Sequence, residues 1–232
     1  MICGIANILG EDIAMHFQFL VEDQSGAALI EMIMSKVLFS NEGITYNCKS
    51  FKGLGGFTKK NTVKETKTGK LLNDLATYLR GFNRSLSGLG TNAAIFIVID
   101  NDTRDKEEFR NELNEVAYKN NISIDHVFCI AIEEMEAWLL GDADAIKQAY
   151  PSANMQAMQS YQQDSICGTW EILADVVFPG GRKQFMRKCP SFVEKGKFKS
   201  EWAKRIGQHM RIEKNLSPSF RYFIQEINKR LA

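Results

Sequence analysis

The stretch Ile95 to Asp102, IFIVIDND, constrains this chain more than any other. Apolar residues rich in Ile and Val run without interruption into Asp100-Asn101-Asp102. A run of this kind reads as a strand buried on both faces of a parallel sheet, since a half-exposed strand would alternate with polar residues. Ligands of open α/β sheets bind beyond the carboxyl ends of the strands. Asp100 and Asp102 would therefore stand together at such an edge. Two carboxylates held close repel unless a proton or a cation lies between them, and hard oxygen donors suit Mg²⁺. The simpler alternative makes Asp100 a turn residue and Asp102 the N-cap of the next helix.

The flanking sequence repeats a strand-then-helix pattern. His16 to Val21 reads as a strand that ends at Glu22-Asp23, followed by a turn with Ser25 as N-cap and a helix over Ala27 to Phe39. Ile44 to Cys48 is a second strand, and Lys70 to Phe82 has helical spacing. Residues 93–99 form the third strand, Lys106 to Lys119 an acid-rich amphipathic helix, and His126 to Ile132 the fourth strand. A further helix starts near Glu133 and ends before Pro151. Four such alternations argue for a parallel sheet with right-handed crossovers, flanked by helices, over residues 15–150. Residues 1–14 read as an N-terminal extension. Residues 151–232 hold no strong strand. Thr169 to Val177, Glu201 to Met210 and Ser219 to Leu231 look helical, with Pro218 at a helix entrance, so this part is expected as a smaller helical lobe packed on the sheet. The Gly- and Lys-rich stretch Phe51 to Thr68 reads as a loop, and no GK[ST] follows its glycines to make a phosphate-binding P-loop.

Composition excludes several classes. The chain has 232 residues, 44% hydrophobic and 25% charged, which suits one sizeable core. No apolar stretch approaches the roughly 18 residues of a membrane span. Five cysteines in no CxxC pattern argue against a disulfide framework and for a reducing, cytoplasmic setting. His16, His126 and His209 are scattered, so zinc is not indicated. Trp138 reads as a core anchor. Charge is unevenly spread: residues 100–146 carry 13 acidic against 4 basic side chains, and residues 182–230 carry 14 basic against 4 acidic. An acidic middle and a basic tail suit a metal centre beside a phosphate-binding surface, or two lobes that complement each other.

Three strand ends carry paired acids: Glu22-Asp23, Asp100-Asn101-Asp102 and Glu133-Glu134. In a parallel sheet these ends share one edge. VEDQS around Glu22 and VIDND around Asp100 and Asp102 resemble the motifs of the Toprim fold, found in topoisomerases, primases and OLD-family nucleases. IAIEEMEAWLLGDADAI with AYP at 149–151, and NLSPSFRYF at 215–223, resemble the Toprim-like domain of unknown function 4276. Asp23 stands where Toprim first loops often have glycine. The resemblance implies that Glu22 acts as general acid or base and that Asp100 and Asp102 bind Mg²⁺ or Mn²⁺. Glu134 or Glu133 would complete the metal shell, with Glu136 and Asp105 as further acids to consider. It also implies an ATPase partner and a role in defence against phage.

The segment from Arg182 to Lys204 interleaves basic and aromatic residues. Lys183, Arg187, Lys188, Lys197 and Lys199, together with Arg221, are the candidates for holding a nucleic-acid backbone, with aromatics available for stacking; a solvated basic face over core aromatics is the plain alternative. The expectation is therefore a metal-dependent nuclease acting on DNA or RNA, or a non-catalytic docking subunit of an ATPase. A homo-oligomer remains open.

Overall fold

The computed structural model describes residues 14–39, 41–51 and 70–232. The Gly- and Lys-rich stretch, and nearly all of the N-terminal segment, lie outside the described residues. The fold is α/β. Four strands, β1 (Met15–Val21), β2 (Ile44–Ser50), β3 (Ala93–Asp100) and β4 (Asp125–Ala131), pair in parallel in the order β2-β1-β3-β4. The apolar run in β3 is explained by this order. β3 is an inner strand, and Ala93 to Ile99 are buried on both faces.

The chain leaves β1 through α1 (Gln24–Phe39) to reach β2 at one edge. It then returns through α2 (Lys70–Asn73) and α3 (Leu75–Ser85) to β3 on the other side of β1, and continues through α4 (Lys106–Lys119) to β4. Strand order therefore reverses between β1 and β3, the position where doubly wound sheets open a crevice at their carboxyl edge. The two directions of travel put helices on opposite faces, as right-handed crossovers require. Leu71, Leu75 and Leu79 join Phe109 and Leu113 over one face. Ile30, Ile33 and Met34 of α1 cover the other, against Phe17, Phe19 and Phe96.

That second face also carries the chain after residue 131. α5 (Glu136–Leu140) and α6 (Ala143–Ala149) come first. α7 (Thr169–Val177), α8 (Gly181–Lys188), α9 (Phe192–His209) and α10 (Pro218–Asn228) follow. Their Trp138, Phe185, Trp202, Phe220 and Phe223 belong to one continuous core with the strands. The helical C-terminal part thus shares its core with the sheet. Trp138 is fully buried, as its spacing suggests, and its indole N–H donates to Ser219 Oγ at 2.9 Å. Among the described residues no helix is long and apolar enough to cross a membrane.

Candidate functional site

The carboxyl edge gathers its acids through short backbone splices. β1 ends at Val21, and the Glu22 N–H still bonds to Val98 O of β3 at 3.1 Å. This holds Glu22 against the end of β3, and its carboxylate accepts the Asp100 N–H at 3.1 Å. Asp23 turns back to cap α1, accepting from Ser25 Oγ and from Gly26 N, both at 2.7 Å. At the end of β3, the buried Asn101 joins two strands. Its N–H bonds to Ala131 O, and its side-chain oxygen accepts the Glu133 N–H. Asp102 follows in the left-handed region, with φ 51°, and its N–H bonds to Glu133 O.

These acids differ in how much of their charge is already met. Asp102 is paired with Arg104 at 2.8 Å, and Arg104 in turn lies over the Phe109 ring. The N-cap of α4 is Asp105, which accepts from the Glu107 and Glu108 N–H groups, so Asp102 is free of that duty. Glu133, with φ 61°, points its carboxylate to the N–H groups of Cys167, Gly168 and Thr169 at 2.8–3.2 Å. It caps the start of α7, where the helix dipole favours an anion. Glu134 and Glu136 converge instead on Lys199 of α9, at 3.2 and 3.1 Å. Glu136 is 2% exposed. A helix running unbroken from residue 133 would set Glu133 and Glu136 on one face and Glu134 on another. The positive φ at Glu133 breaks that register.

Asp100 Oδ1 is shielded from solvent and has no hydrogen-bond partner among the described residues. Burial, then the neighbouring charges of Glu22, Asp23 and Glu134, lift its carboxyl well above the usual range, against the pull of Lys199. Glu22 is pushed up to about 7, by burial first and then by Asp102 and Asp23, while the Asp100 N–H and Arg104 oppose the rise. Glu136 rises to about 8, burial again leading. Lys199 stays charged: burial works against it, but Glu136, Glu134, Asp23 and Asp100 outweigh that. The edge holds more carboxylates than cations, so at neutral pH it retains protons that a divalent ion could displace.

The donors are hard oxygens, and the orphaned Asp100 Oδ1 beside Glu22 fits a small divalent cation. Among the described residues no three His, Cys, Asp or Glu side chains form a ready-made metal cage. Mg²⁺ does not need one, because it commonly keeps its waters and is held by one or two carboxylates plus substrate phosphate.

Of the basic residues named from sequence, Lys183, Arg187, Lys188 and Lys197 are exposed on α8 and α9. Arg221 is exposed too, with its Nε donating to Asn215 O at 2.7 Å. Lys199 is different. It faces the acids and not the solvent. Glu136, one of the further acids of the sequence reading, pairs with Lys199, and Asp23, which that reading gave no role of its own, caps α1.

The two stretches EEMEAWLLGD and NLSPSFRYF meet in space. Asn215 Nδ2 donates to Trp138 O, the Leu216 N–H bonds to Gly141 O, and Ser219 holds the Trp138 indole. The family model of the domain of unknown function DUF4276 matches residues 21–228, which takes in both stretches and the whole acidic edge. The chain belongs to the DUF4276 family. No curated protein and no solved structure matches it. In this DUF4276 chain the stretches that carry the family likeness tie α5 to α10 and so set the platform behind Glu134 and Glu136.

Proposed function

We propose that this chain is a Mg²⁺- or Mn²⁺-dependent nuclease of Toprim-like type, cutting phosphodiester bonds at the β1/β3 edge. The observation that carries the reading is the buried, unpartnered Asp100 Oδ1 next to a Glu22 whose carboxyl titrates at about 7. Asp100 would hold the ion, with Asp102 beside it. The ion, when bound, would neutralise charge on a phosphoryl oxygen. Glu22 is suited to take a proton from an attacking water, since a general base works best when its pKa lies near the working pH. Its hydrogen bond from Asp100 N fixes the carboxylate against the end of β3. Exposed Lys183, Arg187, Lys188 and Lys197 would contact the polynucleotide backbone. A cytoplasmic setting fits this work.

A second reading is a non-catalytic docking subunit of an ATPase partner, with the defence role that the Toprim-like resemblance implies. It is favoured by Arg104 and Lys199, which already neutralise part of the acidic edge. Cleavage of single- and double-stranded DNA and of RNA, with Mg²⁺, Mn²⁺ or EDTA, separates the two. The nuclease reading expects metal-dependent cutting that disappears in the Asp100→Asn/Asp102→Asn double variant. Absence of cutting on every substrate, or cutting unchanged in that variant, refutes it.

A further inference from the structure

The acidic edge has two halves, and a lysine ammonium stands within one of them. Glu22 and Asp100 meet at the β1/β3 reversal, with Asp100 Oδ1 unpartnered. Glu134 and Glu136 lie on the α5 side, and Lys199 Nζ stands between them at 3.2 and 3.1 Å. We propose that Lys199 is the resident cation of the Glu134–Glu136 half, taking the place of a second divalent ion, so that the edge accepts one metal and not two. This rests on the reading of the edge as a cation site.

Lys199 is not a surface lysine that happens to fold inward. A capping box between Ser191 and Glu194 fixes the start of α9. Trp202, Ala203 and Ile206 bury one side of the helix in the common core. At its far end, Lys36 of α1 donates to Gln208 O at 2.9 Å. The backbone that carries Lys199 is thus fastened on both sides of the residue. Its side chain is 17% exposed, beside a Glu136 side chain at 2% and a Glu134 side chain at 25%.

A Mg²⁺ shared by Glu134 and Glu136 would need oxygens at roughly 2.0–2.1 Å. That position lies between the two carboxylates, where the ammonium already is, and two cations cannot share it. Asp23, Asp100 and Glu171 also face the lysine charge. Glu171 Oε2 of α7 is buried without a hydrogen-bond partner among the described residues. Once the ammonium is removed, Glu134 and Glu136 are the oxygens left to receive a metal. Lys199 therefore supplies fixed positive charge whatever the metal concentration, and it makes that charge depend on the docking of α9.

The test is a count of bound Mn²⁺ per chain, by calorimetry and by the electron paramagnetic resonance of free Mn²⁺, with no substrate present. The comparison uses wild type, Glu136→Gln, Lys199→Met and Lys199→Met/Glu136→Gln. Lys199→Met should bind one more Mn²⁺ than wild type, and adding Glu136→Gln should remove the extra ion. Equal counts for wild type and a folded Lys199→Met overturn the proposal. So does a wild type that binds two ions and loses one on Glu136→Gln, a result that does not depend on Lys199→Met folding. A wild type that binds none, with Lys199→Met binding one through Glu136, upholds the lysine assignment and overturns the metal site at Asp100 instead.

Discussion

Replacing Glu22 by Gln should stabilise the metal-free protein at alkaline pH. Glu22 has its carboxyl raised from 4.5 to about 7, mainly by burial and secondarily by Asp102 and Asp23. A raised carboxylate pKa means that the folded state binds the proton more tightly than the unfolded chain. Its contribution to stability is therefore full below about 4.5 and lost as pH rises through about 7. At about 1.4 kcal/mol per pH unit, that span sets a ceiling of roughly 3.5 kcal/mol on the cost of an ionised Glu22 at pH 8.5. Water reaching this half-buried group lowers the figure, and roughly 1–2 kcal/mol is a fair expectation. Gln keeps an oxygen for the Asp100 N–H, so that hydrogen bond survives the substitution. For a chain of this size the gain corresponds to about 2–8 °C in Tm. Thermal unfolding of wild type and Glu22→Gln in EDTA at pH 5.5 and 8.5 reads it directly. The advantage of the variant at pH 5.5 should be less than half of that at 8.5. Saturating Mg²⁺ should narrow the gap at pH 8.5, because a cation held at Asp100 favours the ionised Glu22 beside it in the wild type and has no such charge to favour in the variant. A Glu22→Gln protein no more stable than wild type at pH 8.5 would refute the claim that this carboxylate is held under strain by its surroundings.

Two further substitutions separate architecture from chemistry. Glu133→Ala removes the acceptor for three N–H groups at the start of α7 and should cost about 1–2 kcal/mol. Hydrogen exchange at residues 167–169 should quicken while the Mn²⁺ count stays unchanged; loss of a bound ion would make Glu133 a ligand after all. Gly141→Ala would drive a methyl group into Asn215 Oδ1. It should destabilise by about 2 kcal/mol or more, seen as a Tm lower by several degrees, because Asn215 must give up its bond to Trp138 O. An unchanged Tm would show that the α5–α10 contact gives way without cost.

Much of the sheet could be read from local pattern because its determinants are local. The apolar run of β3 needs only a strand buried on both faces, and the acids after β1 and β3 need only the rule that parallel strands end on one edge. Helix α4 ends where its amphipathic spacing ends, at Lys119. The misses have equally physical origins. Asp102 competes for the α4 N-cap in sequence, but Asp105 takes it, since only that carboxylate reaches the Glu107 and Glu108 N–H groups. α8 and the first turns of α9 read as an irregular basic tail because Gly180, Gly181 and Pro190 break the pattern around them. With α9 cut short, Lys199 looked like one more phosphate-binding lysine. Its partner Glu134 is 65 positions away, and only the docking of α9 on the common core brings them together.

The most specific stretches of sequence and the most chemical ones turn out to have different duties. The acids at Glu22, Asp100 and Asp102 sit in short motifs that many chains could carry by chance. EAWLLGD and NLSPSF are far less common patterns, yet their side chains mostly grip one another: Trp138 with Ser219, Asn215 with the backbone of Trp138, Leu216 with Gly141. Asp164 joins the same knot by accepting from Ser217 Oγ and Ser219 N. At the start of the first stretch and just before it, Glu136 and Glu134 meet the edge at Lys199. A buried ion pair is weak evidence for stability in itself, because desolvation offsets most of its attraction. Three titratable groups held this way, on a platform built by the two distinctive stretches, bear on what is presented to the Glu22–Asp100 half beside them. That half keeps its unpartnered Asp100 oxygen beside a neighbourhood that Lys199 already charges, which is why the proposal gives the edge one exchangeable cation and not two.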